Sequence, residues 1–507
     1  MKKNYWILFL LIAVKFFLQY SLINPEYELQ RDEYLHLDQG YHLASGYLSV
    51  PPVSSWFAWL IKVLGGGVFW VKFFPALFGA LTMVVVWKIV EELKGSLFAQ
   101  ILASLGILFS VLLRLNMLFQ PNSLEVLLWT LFFYFLIKYV HSEKVKWLYW
   151  GGFVFGFGVL NKYNIAFLAL GFIPALLMSG QRKVFKNKHL YGALSLTLII
   201  VFPNLLWQYY NHFPVIHHMK ELSERQLVNV NRVDFLKAQV LFFIGTTFVI
   251  IAGFYALLFY HPFGKLRFFF WGYMITIGLF MFFRAKDYYA IGLYPVYIAF
   301  GAVYLGCLFE NSWKRFFKPV CILLPLVLFV PLYSFAFPNK SPEYIVSHPE
   351  WYKKLGLLRW EDGKNHALPQ DFADMQGWKE LAQKVDKEYA GLSKEGNTLV
   401  LCDNYGQAGA INYYSKTGVK AVSFNADYIN WFDLNKKYDN LIRIKDELDG
   451  VDELKITCPY FETSKIVDSI TNPFAREKGT RIFSFKKAKI NIRTRLQNEI
   501  NKFKNQY

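Results

Sequence analysis

The chain has 507 residues, 54% hydrophobic and 19% aromatic with 50 Phe, and a mean hydropathy of +0.25, a balance that excludes a soluble domain of ordinary composition. A formal charge of +18 would suit nucleic acid, but the Lys and Arg fall between apolar runs, where they orient membrane spans, so no nucleic-acid partner is expected. Four cysteines are too few for a disulfide framework or a zinc cluster; for Cys402 and Cys458 a bridge stays open beside the alternative of two small core residues.

Met1 to Lys3 are basic at two positions and precede an apolar run over 5–23. A signal peptide has a shorter apolar core and a small-residue cleavage site, so this run is expected to remain as a first span, with the N-terminus cytoplasmic. Next comes a polar stretch from Asn24 to Trp56, centred on Arg31-Asp32-Glu33-Tyr34 and closed by the rigid pair Pro51-Pro52. Neighbours on a helix point about 100° apart, so Asp32 and Glu33 cannot do the same job: one can face a cavity at membrane level while the other braces the loop. On position alone they could equally be a solvated pair. Apolar runs at 68–90, 97–113, 122–140, 148–161, 164–179, 190–207, 239–260, 268–283, 290–308 and 319–337 bring the expected spans to eleven.

Every even-to-odd connection carries Lys or Arg, most densely over 181–188, and is expected on the cytoplasmic side. The odd-to-even connections, 24–56, 114–122, 161–164, 208–238 and 284–289, are then expected outside. Lys162, Arg284 and Lys286 defy the charge rule there, an expensive placement unless each cation meets an anion. After Phe337 the chain turns polar. Trp378 to Leu392 has the spacing of an amphipathic helix, Thr398 to Cys402 that of a buried strand, Tyr405 to Tyr414 that of a helix, and Arg481 to Phe485 that of a late strand. The chain is therefore expected to be a polytopic α-helical membrane protein over 1–338, followed over 339–507 by an outer-face α/β domain. The basic tail from Lys486 to Tyr507 reads as a solvated or lipid-surface helix.

The outward loops collect a specific chemistry: Asp32 and Glu33 with Tyr34; Asn122; Lys162 and Tyr163; His217, His218, Lys220 and Arg225; and Lys286, Tyr288 and Tyr289. A carboxylate beside several cations and aromatics at one membrane face suits a lipid-linked phosphate. Cations bind the phosphate, rings stack on a sugar, and the carboxylate takes a proton from an incoming hydroxyl. His217 and His218 offer metal-ligand chemistry, but adjacent His side chains diverge and only Glu221 sits at a supporting spacing, so no cofactor is required and a divalent metal stays open without support. Lys162 reads equally well as a lysine snorkelling at a helix end.

These residues carry a resemblance. Asp32-Glu33-Tyr34 with Gly46-Tyr47 and Pro51-Pro52, Gln120-Pro121-Asn122, Asn161-Lys162-Tyr163-Asn164, Pro203 to Gln208 with His217-His218, Lys286 to Tyr289, and Asp403 to Ala410 with Tyr413-Tyr414 resemble, in order, the bacterial polytopic glycosyltransferases of the GT-C class. That superfamily contains the dolichyl-phosphate-mannose protein mannosyltransferases and the lipid A aminoarabinose transferases. The resemblance implies a GT-C-like fold, a polyprenyl-phosphate sugar donor and no nucleotide sugar, and inverting transfer to a lipid, glycan or protein acceptor with Asp32 as general base or acceptor anchor. Glu33 would orient it; Lys286, Tyr288, Arg225, Lys220 and Lys162 would hold the donor phosphate; Tyr34, Asn122, Tyr163, His217, His218 and Tyr289 would contact substrate. Asn122 stands where relatives often have Asp. The aminoarabinose branch has an acidic residue just before its Pro-Pro, which this chain lacks, and that argues against lipid A aminoarabinose transfer in particular. A transporter or flippase of a lipid-linked sugar would use the same basic pocket, but the chain shows no paired halves; a non-catalytic outer-face binding protein is the third class.

Overall fold

The computed structural model describes residues 4–310, 313–446 and 452–504, without the side chain of Arg225. The chain opens with α1 (Tyr5–Ser21), then the short polar α2 (Arg31–Gln39), α3 (Val53–Val63) and α4 (Val68–Glu92). The expected apolar runs fold mainly as helices, four of which carry proline in their interior: Pro75, Pro174, Pro203, and Pro325 with Pro331. By length and composition five helices among the described residues can cross a membrane: Val68–Glu92, Pro121–Ser142, Lys188–Tyr210, Asp287–Leu308 and Trp313–Ala336. Two bent pairs, Tyr163–Leu177 with Gly180–Lys186 and Arg232–Phe242 with Ile244–Phe259, raise the number to seven if each is one span.

Eleven full crossings are therefore more than helix length by itself gives. Four expected spans are shorter helices, Tyr5–Ser21, Leu97–Leu108, Lys146–Asn161 and Phe268–Phe282; at 1.5 Å per residue they reach less than the roughly 30 Å of a hydrocarbon core. The sequence reading also missed α3, which the Pro51-Pro52 corner starts and whose Trp56, Trp59 and Leu60 stay exposed. The helix Tyr294–Leu308 lies at the centre of the bundle, with Val296 to Phe300 fully buried.

Beyond the last long helix a five-stranded sheet forms, with β1 (Thr398–Cys402), β2 (Ala421–Ser423), β3 (Asn440–Lys445), β4 (Phe461–Ser469) and β5 (Arg481–Ala488) in the order β2-β1-β3-β5-β4. β2, β1 and β3 run parallel, and β5 pairs antiparallel with both β3 and β4. The helix Ile492–Lys504 corrects the expectation of a free tail. Ile492, Leu496 and Ile500 are buried, the first two in one cluster with Leu399, Phe461 and Phe485, and Phe503 stacks on Phe424. Cys402 is buried, Cys458 exposed, and both are free thiols.

The sheet domain sits directly on α2. The helix Tyr405–Tyr414 crosses it so closely that a Cβ on Gly409 would lie 2.7 Å from Tyr34 Cβ, and one on Gly406 would lie 2.6 Å from Arg31 Cγ. Tyr34 is buried there against Trp378, Tyr413 and Tyr414. Two acidic side chains seal the contact. Asp38 accepts from Tyr428 Oη at 2.6 Å and Asn412 Nδ2 at 2.7 Å, while Asp427 accepts from Gln39 Nε2 at 2.8 Å and Leu48 N at 2.7 Å.

Candidate active site

The first turn of α2 separates the two carboxylates as their spacing requires. Gln30 caps the helix: its side chain accepts from Asp32 N at 2.9 Å, and its own backbone N–H donates to Glu33 Oε2 at 2.8 Å, completing a capping box. Glu33 is fully buried and saturated. Both its oxygens take Lys72 Nζ at 2.8 Å, and Oε1 also accepts from Phe119 N at 2.8 Å. A carboxylate so occupied has no lone pair free for a substrate proton, so the expectation of Glu33 as a catalytic group gives way to a brace that ties α2 to α4 and to the 114–122 loop.

Asp32 points the other way and is only half-buried. Its Oδ1 accepts from Tyr405 Oη at 2.6 Å, and Oδ2 lies 3.3 Å from Gln120 Nε2. Burial drives the Tyr405 phenol well above its ordinary pKa, which the neighbouring Arg31 opposes and Asp32 reinforces; the hydroxyl therefore stays a neutral donor. Arg31 lies over the Tyr405 ring at 4.4 Å from its centroid. Behind it, burial pushes the Asp374 carboxyl up to about 7, against the pull of Arg476, whose Nη1 donates to it at 3.1 and 3.2 Å.

From Asp32 a polar chain runs into the bundle. Gln120 Oε1 accepts from Asn122 Nδ2 at 3.0 Å, Asn122 Oδ1 from Lys162 Nζ at 2.8 Å, and Lys162 also meets Glu125 Oε2 at 3.1 Å. Asn164 Nδ2 donates to the other Glu125 oxygen at 2.7 Å. Lys162 further lies 4.4 Å from the centroid of Tyr289 and 5.2 Å from that of Tyr288, so it is held inside the site by anion and ring faces. That geometry is not one of snorkelling to solvent.

Lys286 forms the second cationic point. Its Nζ lies 2.5 Å from Glu361 Oε1, and Gln370 Nε2 holds the other Glu361 oxygen at 3.1 Å. Burial opposes the Lys286 charge, yet Glu361 outweighs it and keeps the ammonium above its usual range; Asp32 adds to that pull. A lysine has three N–H donors, so Lys286 keeps two beyond Glu361, and Lys162 one beyond Asn122 and Glu125.

The remaining expected residues divide. Tyr288 lies within electrostatic reach of Asp32, and His218 of Lys286; burial lowers the His218 pKa. Tyr163 instead bonds Asn204 Oδ1 at 2.8 Å and Gln208 Nε2 at 2.9 Å, where it fixes the Lys188–Tyr210 helix. Tyr34 packs under the sheet domain and is no substrate contact. Lys220 is exposed, His217 is half-buried on the same helix as His218, and the side chain of Arg225 falls outside the described residues. Among the described residues no three of His, Cys, Asp or Glu converge to hold a metal ion. Sequence reasoning did not assign Tyr405, Gln120, Glu125 or Glu361. Glu125 could have been found, one helical turn from Asn122 on the same face; Glu361, in a polar segment without periodicity, offered no signal.

The family model for dolichyl-phosphate-mannose-protein mannosyltransferase matches residues 49–207, and a search of curated protein sequences finds no match. The crystal structure of ArnT from Cupriavidus metallidurans bound to undecaprenyl phosphate is similar at a TM-score of 0.64 and 13% identity, over 95% of this chain and 98% of that one. The apo state of the same protein is similar at 0.62 and 12% identity, with the same coverage. The fold of this chain, over nearly its whole length, is thus that of ArnT, with residues 49–207 matching the dolichyl-phosphate-mannose-protein mannosyltransferase model.

Proposed function

We propose that the protein transfers a sugar from a polyprenyl-phosphate donor to a lipid, glycan or protein acceptor at the outer face of the inner (plasma) membrane, with inversion at the anomeric carbon. The observation that carries this is the placement of Asp32: a half-exposed carboxylate, fixed by Tyr405 and Gln120, facing a rim of two lysines that each retain free N–H donors. The fold shared with ArnT bound to undecaprenyl phosphate supports the donor class.

In this mechanism Asp32 takes the proton of the acceptor hydroxyl as its oxygen attacks the anomeric carbon, and the sugar–phosphate bond breaks on the opposite side. The leaving lipid phosphate gathers negative charge, which Lys286 and Lys162 meet with their remaining donors. Tyr405 and Gln120 hold the Asp32 oxygens in line with the acceptor, and Tyr288 and Tyr289 offer ring faces to the sugar. Residues 1–338 form the membrane-embedded catalytic part with a cytoplasmic N-terminus, and 339–507 lie outside. The test is transfer by purified protein from a panel of labelled polyprenyl-phosphate sugars. Product formation that depends on Asp32 is expected; movement of intact donor across a bilayer without bond cleavage would favour a flippase.

A further inference from the structure

One anion of the candidate site arrives from the C-terminal part. Glu361 sits at the tip of a hairpin over 358–368, in which Trp360 N donates to Lys364 O at 2.9 Å, Gly363 N to Trp360 O at 3.0 Å and His366 N to Leu358 O at 2.9 Å. Gly363 turns the tip at a φ of +78°, a conformation that favours glycine. The base is firm: the Trp360 ring stacks on that of His366 with centroids 3.6 Å apart, and its Nε1 donates to Leu368 O at 2.8 Å. The tip reaches two loops of the membrane part. Asn229 Nδ2 donates to Glu361 O at 3.1 Å, and Lys286 Nζ donates to Glu361 Oε1.

Lys286 is the cation that meets the donor phosphate in the mechanism above, so a carboxylate already stands on it. The two anions cannot share it at full strength. A phosphate oxygen that takes the other N–H donors of the ammonium comes within contact range of Glu361, where like charges repel, and Asp32, whose charge also acts on Lys286, adds to the repulsion. Glu361 is the partner built to yield. Its side chain is 38% exposed against 18% for Lys286, so water can take it up, and Gln370 is placed to keep it: Gln370 Nε2 donates to Glu361 Oε2 at 3.1 Å, and Gln370 Oε1 accepts from Glu361 N at 2.8 Å. Lys286, largely buried, needs an anion whether or not a donor is bound, because an unpaired charge there is costly.

We propose that Glu361 is a placeholder for the donor phosphate: it pairs with Lys286 in the empty site and is expelled when the phosphate arrives, which detaches the hairpin tip. This rests on the donor-phosphate role of Lys286. A charge-assisted bond of ordinary strength leaves the lysine open in about a tenth of the molecules or fewer, and the apparent Kd of a ligand rises by the inverse of that fraction. The probe is undecaprenyl phosphate, titrated by microscale thermophoresis into the full-length protein in a neutral detergent, with undecaprenol as the phosphate-free control. Glu361→Gln, which keeps the size and loses the charge, should bind undecaprenyl phosphate about 10-fold more tightly and undecaprenol no differently; loss of a merely structural contact gives no such gain. Asp362→Asn, exposed at the same tip and paired with His366 instead of Lys286, removes an equal charge and should leave the affinity unchanged, while Lys286→Ala should lose most of the binding. Equal tightening in Glu361→Gln and Asp362→Asn would reveal a general field, and an unchanged affinity in Glu361→Gln, with binding still dependent on Lys286, a fixed ion pair. Either result overturns the placeholder and leaves the donor reading standing. No binding of undecaprenyl phosphate to the unmutated protein and to Glu361→Gln alike would overturn both.

Discussion

The hydroxyl of Tyr405, in the C-terminal domain, donates to Oδ1 of Asp32, in the first loop of the membrane part, at 2.6 Å across 373 residues of chain. The C-terminal domain is therefore a structural part of the candidate site. Tyr405→Phe removes one donor to a carboxylate and leaves the ring under Arg31. Such bonds are worth about 1.5–3 kcal/mol, so turnover is expected to fall roughly 10- to 100-fold. Expression and melting temperature should hold; a variant with full turnover would show that the contact does not position Asp32.

Glu33 and Lys72 make the opposite prediction. Removing one partner of a buried pair leaves an uncompensated charge, at about 3–5 kcal/mol. Glu33→Gln and Lys72→Met should each lower folded yield and Tm sharply, while the double variant Glu33→Leu with Lys72→Met should recover much of both. Normal stability with selective loss of turnover in Glu33→Gln would return Glu33 to the chemistry.

Lys286→Ala should act first on the donor. A cation facing a phosphate interacts in the ground state as well as the transition state, so the KM for the polyprenyl-phosphate sugar is expected to rise at least 10-fold. Glu361→Gln frees Lys286 from its partner and should shift KM less. An unchanged KM with lower kcat in Lys286→Ala would place the lysine on the transition state alone.

The contact between α2 and the C-terminal domain should respond to pH. Burial pushes Asp38 and Asp427 up to about 6, against the hydrogen bonds that favour their charged forms. A carboxyl with a higher pKa folded than unfolded, where Asp is about 3.9, binds more protons in the folded state between the two values. Its contribution to stability therefore grows as pH falls from about 7 through 6 and levels near 4. Asp427→Asn should remove its share of that slope in a melting series across the window; a slope identical to that of the unmutated protein would contradict the assignment.

Much of this arrangement was legible in the sequence, because long apolar runs and motif order survive in one dimension. Asp32 and Glu33 could be told to have separate roles from helix geometry alone, but which one braced the loop depended on Lys72, 39 residues away. The C-terminal pattern revealed β1, β5 and two helices. The strands β2, β3 and β4 escaped: the three residues of β2 carry no periodicity, β3 is a short run with basic residues at Arg443 and Lys445, and the exposed β4 carries a polar pattern. The basic tail concealed its docking face, since Ile492, Leu496 and Ile500 fit a lipid surface and a sheet equally well. The carboxylate partners of Lys162 and Lys286 lie 37 and 75 residues from them, separations over which no local pattern operates.

The central claim is that Asp32 carries the proton transfer. Asp32→Asn keeps the size of the side chain and, through its single amide oxygen, the hydrogen bond from Tyr405, while losing the charge and the second acceptor that meets Gln120. A general base contributes typically 10²- to 10⁴-fold. The most direct measurement is single-turnover sugar transfer by this variant, purified in parallel with the unmutated protein and matched to it in Tm and donor binding. A rate lower by about that factor is expected; a rate within about threefold would contradict the account and move the base elsewhere.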